Sequence, residues 1–162
     1  MEVVGGEATV ADVDSFVEAV GTVGEAHGST VQAFDARYIV GRDHLERAVT
    51  LAERARERGE AIADDPAVEI LLYAAGRRQI TDALEIGVSK GECPVVAVAV
   101  GGDERGAADT LRGRLAPAEP LGTYAPERVR EFYGVSEREL AATNGDLPGV
   151  VLERVALLTV NK

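Results

Sequence analysis

The chain has 162 residues, a length that suits one domain and lets roughly 70% of the unfolded surface be buried without covalent staples. Its 28 carboxylates against 17 Lys and Arg give a formal charge of −11, which argues against broad electrostatic attraction to nucleic acid at low salt. The one cysteine, Cys93, excludes an internal disulfide framework, and no apolar run approaches the roughly 20 residues of a membrane span.

The opening "MEVVGGEATV" lacks the basic-then-apolar plan of a secretion signal, so a cytoplasmic home is the expectation. Lys90 and Lys162 are the only lysines, Trp is absent, and Ala, Val, Gly, Asp and Glu abound. This profile resembles proteins of salt-accumulating archaea, whose surface carboxylates keep a chain hydrated; an ordinary acidic protein is the alternative. No repeat or low-complexity tract breaks the chain, and "VGGE", "VGGDERG" and "TNGDLPG" read as short turns.

In chain order, "ADVDSFVEAVGTVGEAHG" places Val13, Phe16, Val17 and Val20 at helical spacing. "STVQAFDARYIVG" reads as a strand running into a turn at Gly41. Asp43 is expected to cap a helix to about Arg58, with Leu45, Ala48, Val49 and Ala52 inward and Gly59 as its stop. Asp65 and Pro66 suit the cap and first position of the next helix. "CPVVAVAVGG" reads as a buried strand, "ERGAADTLRGRLA" and "APERVREFYGV" as helices, and Ser136 with Glu139 as a capping box. The tail "VALLTVNK" is expected to be a strand. The expectation for residues 1–162 is a single α+β domain, several helices packed on a small mixed or antiparallel sheet.

The stretch "EILLYAAGRRQITDALEIGV", Glu69 to Val88, carries the functional signal. Val68, Leu71, Leu72 and Ala75 share one helical face, and Ile80, Ala83 and Leu84 share another. Ile80 lies about 80° around from Leu72 on one straight helix, so the phase slips. A break at Gly76, with Gly87 closing the second run, turns both faces toward one core. The first N–H groups of the second helix then lack a Ser, Thr, Asp or Asn cap. Free amides beside Arg77 and Arg78 suit an anion such as phosphate. Arginine forks also work at short range in concentrated salt, where screening cuts long-range attraction to about 3 Å at 1 M. Alternatively, Arg77 and Arg78 pair with Glu69, Asp82 or Glu85 and only decorate the surface.

"VQAFDARYIVGRDHLERAVTLA", then "AVEILLYAAGRRQITDALEIGVSKGECPVVAVAV" and the late "ERVALLTV", resemble the kinase-regulating subunit family of the KEOPS complex, also described as kinase-binding proteins. The likeness spans roughly residues 30–160, and "YAAGRRQI" between a helix and a "GV" stop is its most specific part. The resemblance implies a noncatalytic regulatory subunit. KEOPS transfers a threonylcarbamoyl group to the adenosine beside the anticodon of tRNAs that read codons beginning with A. Family members bind the small lobe of the complex's atypical kinase, support its ATPase activity and help hold the single-stranded CCA end of tRNA.

On that reading the direct partner is the KEOPS kinase, the other KEOPS subunits are reached through it, and the RNA partner is the tRNA 3′ end. Gly76, Arg77, Arg78 and Gln79 are the expected tRNA-binding residues, and Tyr73 offers a ring face to a base, or else a core tyrosine. No kinase-facing residue is separable from the core by sequence. No cofactor, metal or membrane contact is expected. His27 and His44 suit surface or capping roles, and Cys93 an inert buried thiol. Asp64/Asp65 and Asp103/Glu104 fit caps and solvated loops. The glycine-rich "GTVGEAHGST" and "GGDERG" lack the order of a P-loop or dinucleotide fingerprint. Two other classes stay open: a stand-alone phosphate- or nucleotide-sensing domain using the same joint, and an enzyme for which no constellation can be named.

Overall fold

The computed structural model describes residues 1–160. Three strands, β1 (Glu2–Val10), β2 (Thr30–Asp35) and β3 (Gly91–Val100), form one antiparallel sheet in the order β1–β3–β2. β3 takes the centre because its alternating residues are apolar on both faces: Val95, Ala97 and Ala99 on one, Val96 and Val98 on the other. Its Pro94 has no N–H to give, and β2 stops short of it, with Asp35 opposite Val95. The proline therefore deprives no β2 residue of a partner.

Helices cover both faces. α1 (Val13–His27) and α5 (Glu104–Arg112) pack on the Val95 side through Val20, Val23, Ala107 and Leu111. On the other side α2 (Arg42–Glu57), α3 (Pro66–Ala75), α6 (Pro126–Tyr133) and α8 (Leu147–Val160) share the larger apolar cluster. The short α4 (Ile80–Ala83) and α7 (Glu137–Ala142) complete the set among the described residues. This is the expected α+β architecture, and its sheet is antiparallel. No helix among the described residues is long and apolar enough to cross a membrane.

The caps explain most helix starts. Asp12 accepts the Asp14 N–H at 2.9 Å to open α1, and Ser136 accepts the Glu139 N–H at 3.0 Å to open α7. Asp65 accepts the Ala67 N–H at 2.8 Å, with Pro66 in the first turn of α3 as expected. Asp43 is not a cap. The N-cap of α2 is Gly41, without a side-chain bond, and Asp43 lies in the first turn, where its charge complements the helix dipole.

Two other expectations need correction. "VGGE" is no turn: it is the middle of β1, and its glycines let the segment 115–120 cross the strand, since a Cβ on Gly6 would meet the Leu115 Cβ at 2.6 Å. The apolar tail is the end of a helix, with Asn161 and Lys162 outside the described residues. Leu147, Val150, Val151, Val155 and Leu158 keep helical spacing and are buried, while Asp146 accepts the Gly149 N–H at 3.0 Å to cap the first turn. The strand reading fails because "TNGDLPG" ends in a helix start, with Pro148 in its first turn.

Candidate functional site

The joint between α3 and α4 is built by Gly76. Its φ of 64° is left-handed, its N–H donates to the Tyr73 carbonyl at 3.1 Å, and the Arg77 N–H reaches back to the Leu72 carbonyl at 3.1 Å. This paired pattern stops α3 by satisfying its last carbonyls, and glycine alone takes that backbone turn at no steric cost. α8 passes so close that a Cβ at Gly76 would stand 3.2 Å from the Arg154 carbonyl oxygen.

The second run is shorter than its apolar spacing suggests. One α turn, Ile80–Ala83, passes directly into a 3₁₀ turn, Leu84–Ile86, that Gly87 ends. Three residues per turn place Ala83 and Ile86 together on the buried side. Ile80 and Leu84, expected in the core, are 45% and 55% exposed instead.

Arg77 points inward and is partly buried. Its guanidinium donates to the Phe132 carbonyl and lies over the Phe132 ring, 4.5 Å from the centroid. Two of the three carboxylates named as alternative partners are engaged elsewhere. Glu69 is fully buried and accepts the Ile62 and Ala63 N–H groups at 2.8–3.1 Å, and Glu85 accepts the Tyr38 hydroxyl at 3.2 Å.

Arg154 joins Arg77 at the same place. Its Nε donates to the Tyr133 carbonyl at 3.1 Å, and its two terminal nitrogens grip Glu139 at 2.6 and 2.8 Å. Both guanidiniums thus sit on the last carbonyls of α6, the negative end of that helix. The Arg154 hydrogen bonds hold the Glu139 carboxyl below the usual range, and the same contact raises Arg154. Arg154 carried no sequence signal, because its partners lie 15 to 21 residues away.

Arg78 and Gln79 are exposed at the start of α4, which no side chain caps. The joint therefore brings Arg78, Gln79 and the α4 start to the surface and keeps Arg77 as a bracket beneath them. Tyr73 does not belong to this surface. It is 0% exposed in the centre of the larger cluster, so the expected ring face for a base is corrected to a core role.

The other singled-out groups are structural. Of the two roles expected for His44 the structure gives it capping: it is fully buried, accepts the Val40 N–H on Nδ1 at 3.2 Å and reaches the Ala74 carbonyl with Nε2 at 2.8 Å. Burial pushes its pKa down to about 4. Its role is a buried cap that links the α2 start to the α3 end. His27 pairs with Asp103 at 3.3 Å and Thr110 at 3.1 Å, while Asp103 caps α5 through the Gly106 N–H at 3.0 Å. Cys93 is buried, which pushes its thiol up and away from the reactive thiolate. Among the described residues no cluster of His, Cys, Asp and Glu is placed to hold a metal ion.

A family model described as kinase binding protein CGI-121 matches residues 22–159. No curated protein matches the chain. The matched span takes in α2, the Gly76 joint, β3 and nearly all of α8.

Proposed function

The chain belongs to the CGI-121 family of kinase-binding proteins, and from that premise we propose that it is the noncatalytic regulatory subunit of a KEOPS assembly. In this role it binds and activates the atypical kinase, reaches the remaining subunits through it, and helps recruit tRNA by its 3′ CCA end for threonylcarbamoyladenosine modification. The match across residues 22–159 carries the kinase half of the reading. The tRNA half is supported by the uncapped α4 start with exposed Arg78 and Gln79 held over the left-handed Gly76.

The division of labour at the joint follows from burial. Arg78 and Gln79 contact a terminal phosphate or sugar, with Arg78 offering a planar fork and Gln79 an amide. Arg77 positions them through its grip on Phe132. A net charge of −11 supplies no long-range steering, so short contacts carry the RNA affinity. The same charge, with arginine far outnumbering lysine, supports a salt-accumulating archaeal host and a cytoplasmic site of action.

Reconstitution tests both halves. The KEOPS kinase of the same organism is assayed for ATPase with and without this chain, then with intact tRNA and tRNA lacking CCA. Stimulated ATPase and weaker capture of the truncated tRNA are expected. A kinase that neither binds nor responds overturns the regulatory reading; equal capture of both RNAs overturns the tRNA half alone.

A further inference from the structure

Among the described residues five large apolar side chains stand exposed, and three of them, Val17, Ile80 and Leu84, border one groove of about 370 Å³. Val17 comes from α1, on one face of the sheet, and Ile80 and Leu84 come from the α4 segment on the other, so the groove follows the outer edge of β2. Such a concentration of water-facing aliphatic groups marks an interaction surface rather than scattered surface residues. Among the described residues its only ionisable lining groups are Asp14 and Asp65, both carboxylates.

The edge of β2 does not offer a slot for an added strand. Val31 and Ala33 at the groove floor are 6% and 7% exposed, and the Gln32 side-chain amide already donates to the Ala33 carbonyl at 2.8 Å. What remains open is a trough between helical walls, lined by apolar side chains and rimmed by negative charge, the complement of a helix with an apolar ridge and basic flanks.

Resting on the kinase-binding reading, we propose that this groove seats one amphipathic helix of the kinase partner, its aliphatic ridge between Val17 and Leu84 and its Lys or Arg flanks toward Asp14 and Asp65. The site lies on the Ile80 side of the joint, beside the proposed RNA contacts at Arg78 and Gln79. Kinase docking and the α4 segment are thereby coupled through one short element.

The test measures affinity of the full chain for the KEOPS kinase of the same organism, by calorimetry, alongside thermal melts and sedimentation of the free chain. Val17→Arg and Leu84→Arg put a buried, like-charged group into the seam, and both positions are more than half exposed, which preserves the fold. Each is expected to weaken binding at least about tenfold, whereas Leu157→Arg, on exposed α8 surface, changes it less than about twofold. Asp14→Lys is expected to weaken binding about threefold and flatten its salt dependence. Unchanged kinase affinity in both groove variants overturns the proposal and leaves the family reading standing. Groove variants that abolish self-association of the free chain while sparing kinase binding assign the trough to a second copy and overturn it too. A wild-type chain that binds no kinase removes both.

Discussion

Arg77 and Arg154, one at the end of α3 and one on α8, converge on consecutive carbonyls, those of Phe132 and Tyr133. The convergence makes the start of the proposed RNA surface a structural keystone, because the residue before Arg78 is also what fastens α3 to α6. Charge reversal at Arg77 is therefore a folding experiment. Arg77→Glu is expected to cost about 2–3 kcal/mol through a lost charged hydrogen bond, a lost ring contact and repulsion at a negative helix end. Arg78→Glu, on the exposed side, is expected to cost less than half as much while reducing tRNA retention. Thermal melts and filter binding on the two single variants separate the effects; a larger melting loss for Arg78→Glu contradicts this division.

Gly76→Ala tests the joint itself. The left-handed backbone penalises a β-carbon by about 1–2 kcal/mol, and the Arg154 carbonyl 3.2 Å away leaves it little room. Gly76→Asn is expected to be the milder change in backbone terms, since asparagine tolerates this region. Urea midpoints of the two variants give the comparison.

The buried His44 makes stability depend on pH in a defined window. Its pKa is 6.5 when unfolded and about 4 when folded, so between those values the unfolded chain binds the extra proton. Stability is fully present above pH 6.5 and falls as pH drops toward 4, by about 3 kcal/mol from this group. Carboxylates as a class ionise near the lower end of this window, so the measurement is the difference between wild type and His44→Gln in urea unfolding at pH 7, 5 and 4. A constant difference across that series contradicts the assignment.

Glu69 secures the connection between α2 and α3. Glu69→Ala removes the acceptor of the Ile62 and Ala63 amides and is expected to destabilise the fold by about 2–3 kcal/mol. Hydrogen exchange at these two amides should accelerate more than at the α3 core, which distinguishes local release from global loosening.

The parts of the fold legible in the sequence are those whose signals are local. Asp65, Pro66 and Gly76 bracket α3 within twelve positions, and the phase slip beyond Gly76 marks a real break. α8 is less legible because "VALLTV" is rich in residues that suit a strand; its helical spacing emerges only when counted from Leu147, across Pro148. The fate of the joint's side chains is set by tertiary distance. Arg77 finds its acceptor 55 residues away, and Tyr73 is enclosed because α3 is buried all round, from Glu69 to Ala75. No spacing within the joint reports either fact. The groove was hidden for a related reason, since Val17, Ile80 and Leu84 carry the same periodicity as core residues and differ only in what covers them.

The crossing of β1 by the segment 115–120 also protects the molecule in solution. Glu7 and Ala116 exchange both backbone bonds, at 2.9 and 2.8 Å, over the paired glycines. A passing chain seeking to zip along that outer strand meets a plug partway and finds no uninterrupted ladder to copy. Neighbouring chains are thereby denied a template for edge-to-edge polymerisation, and the two side-chain-free positions that look like a flaw in the strand are what make room for the stopper.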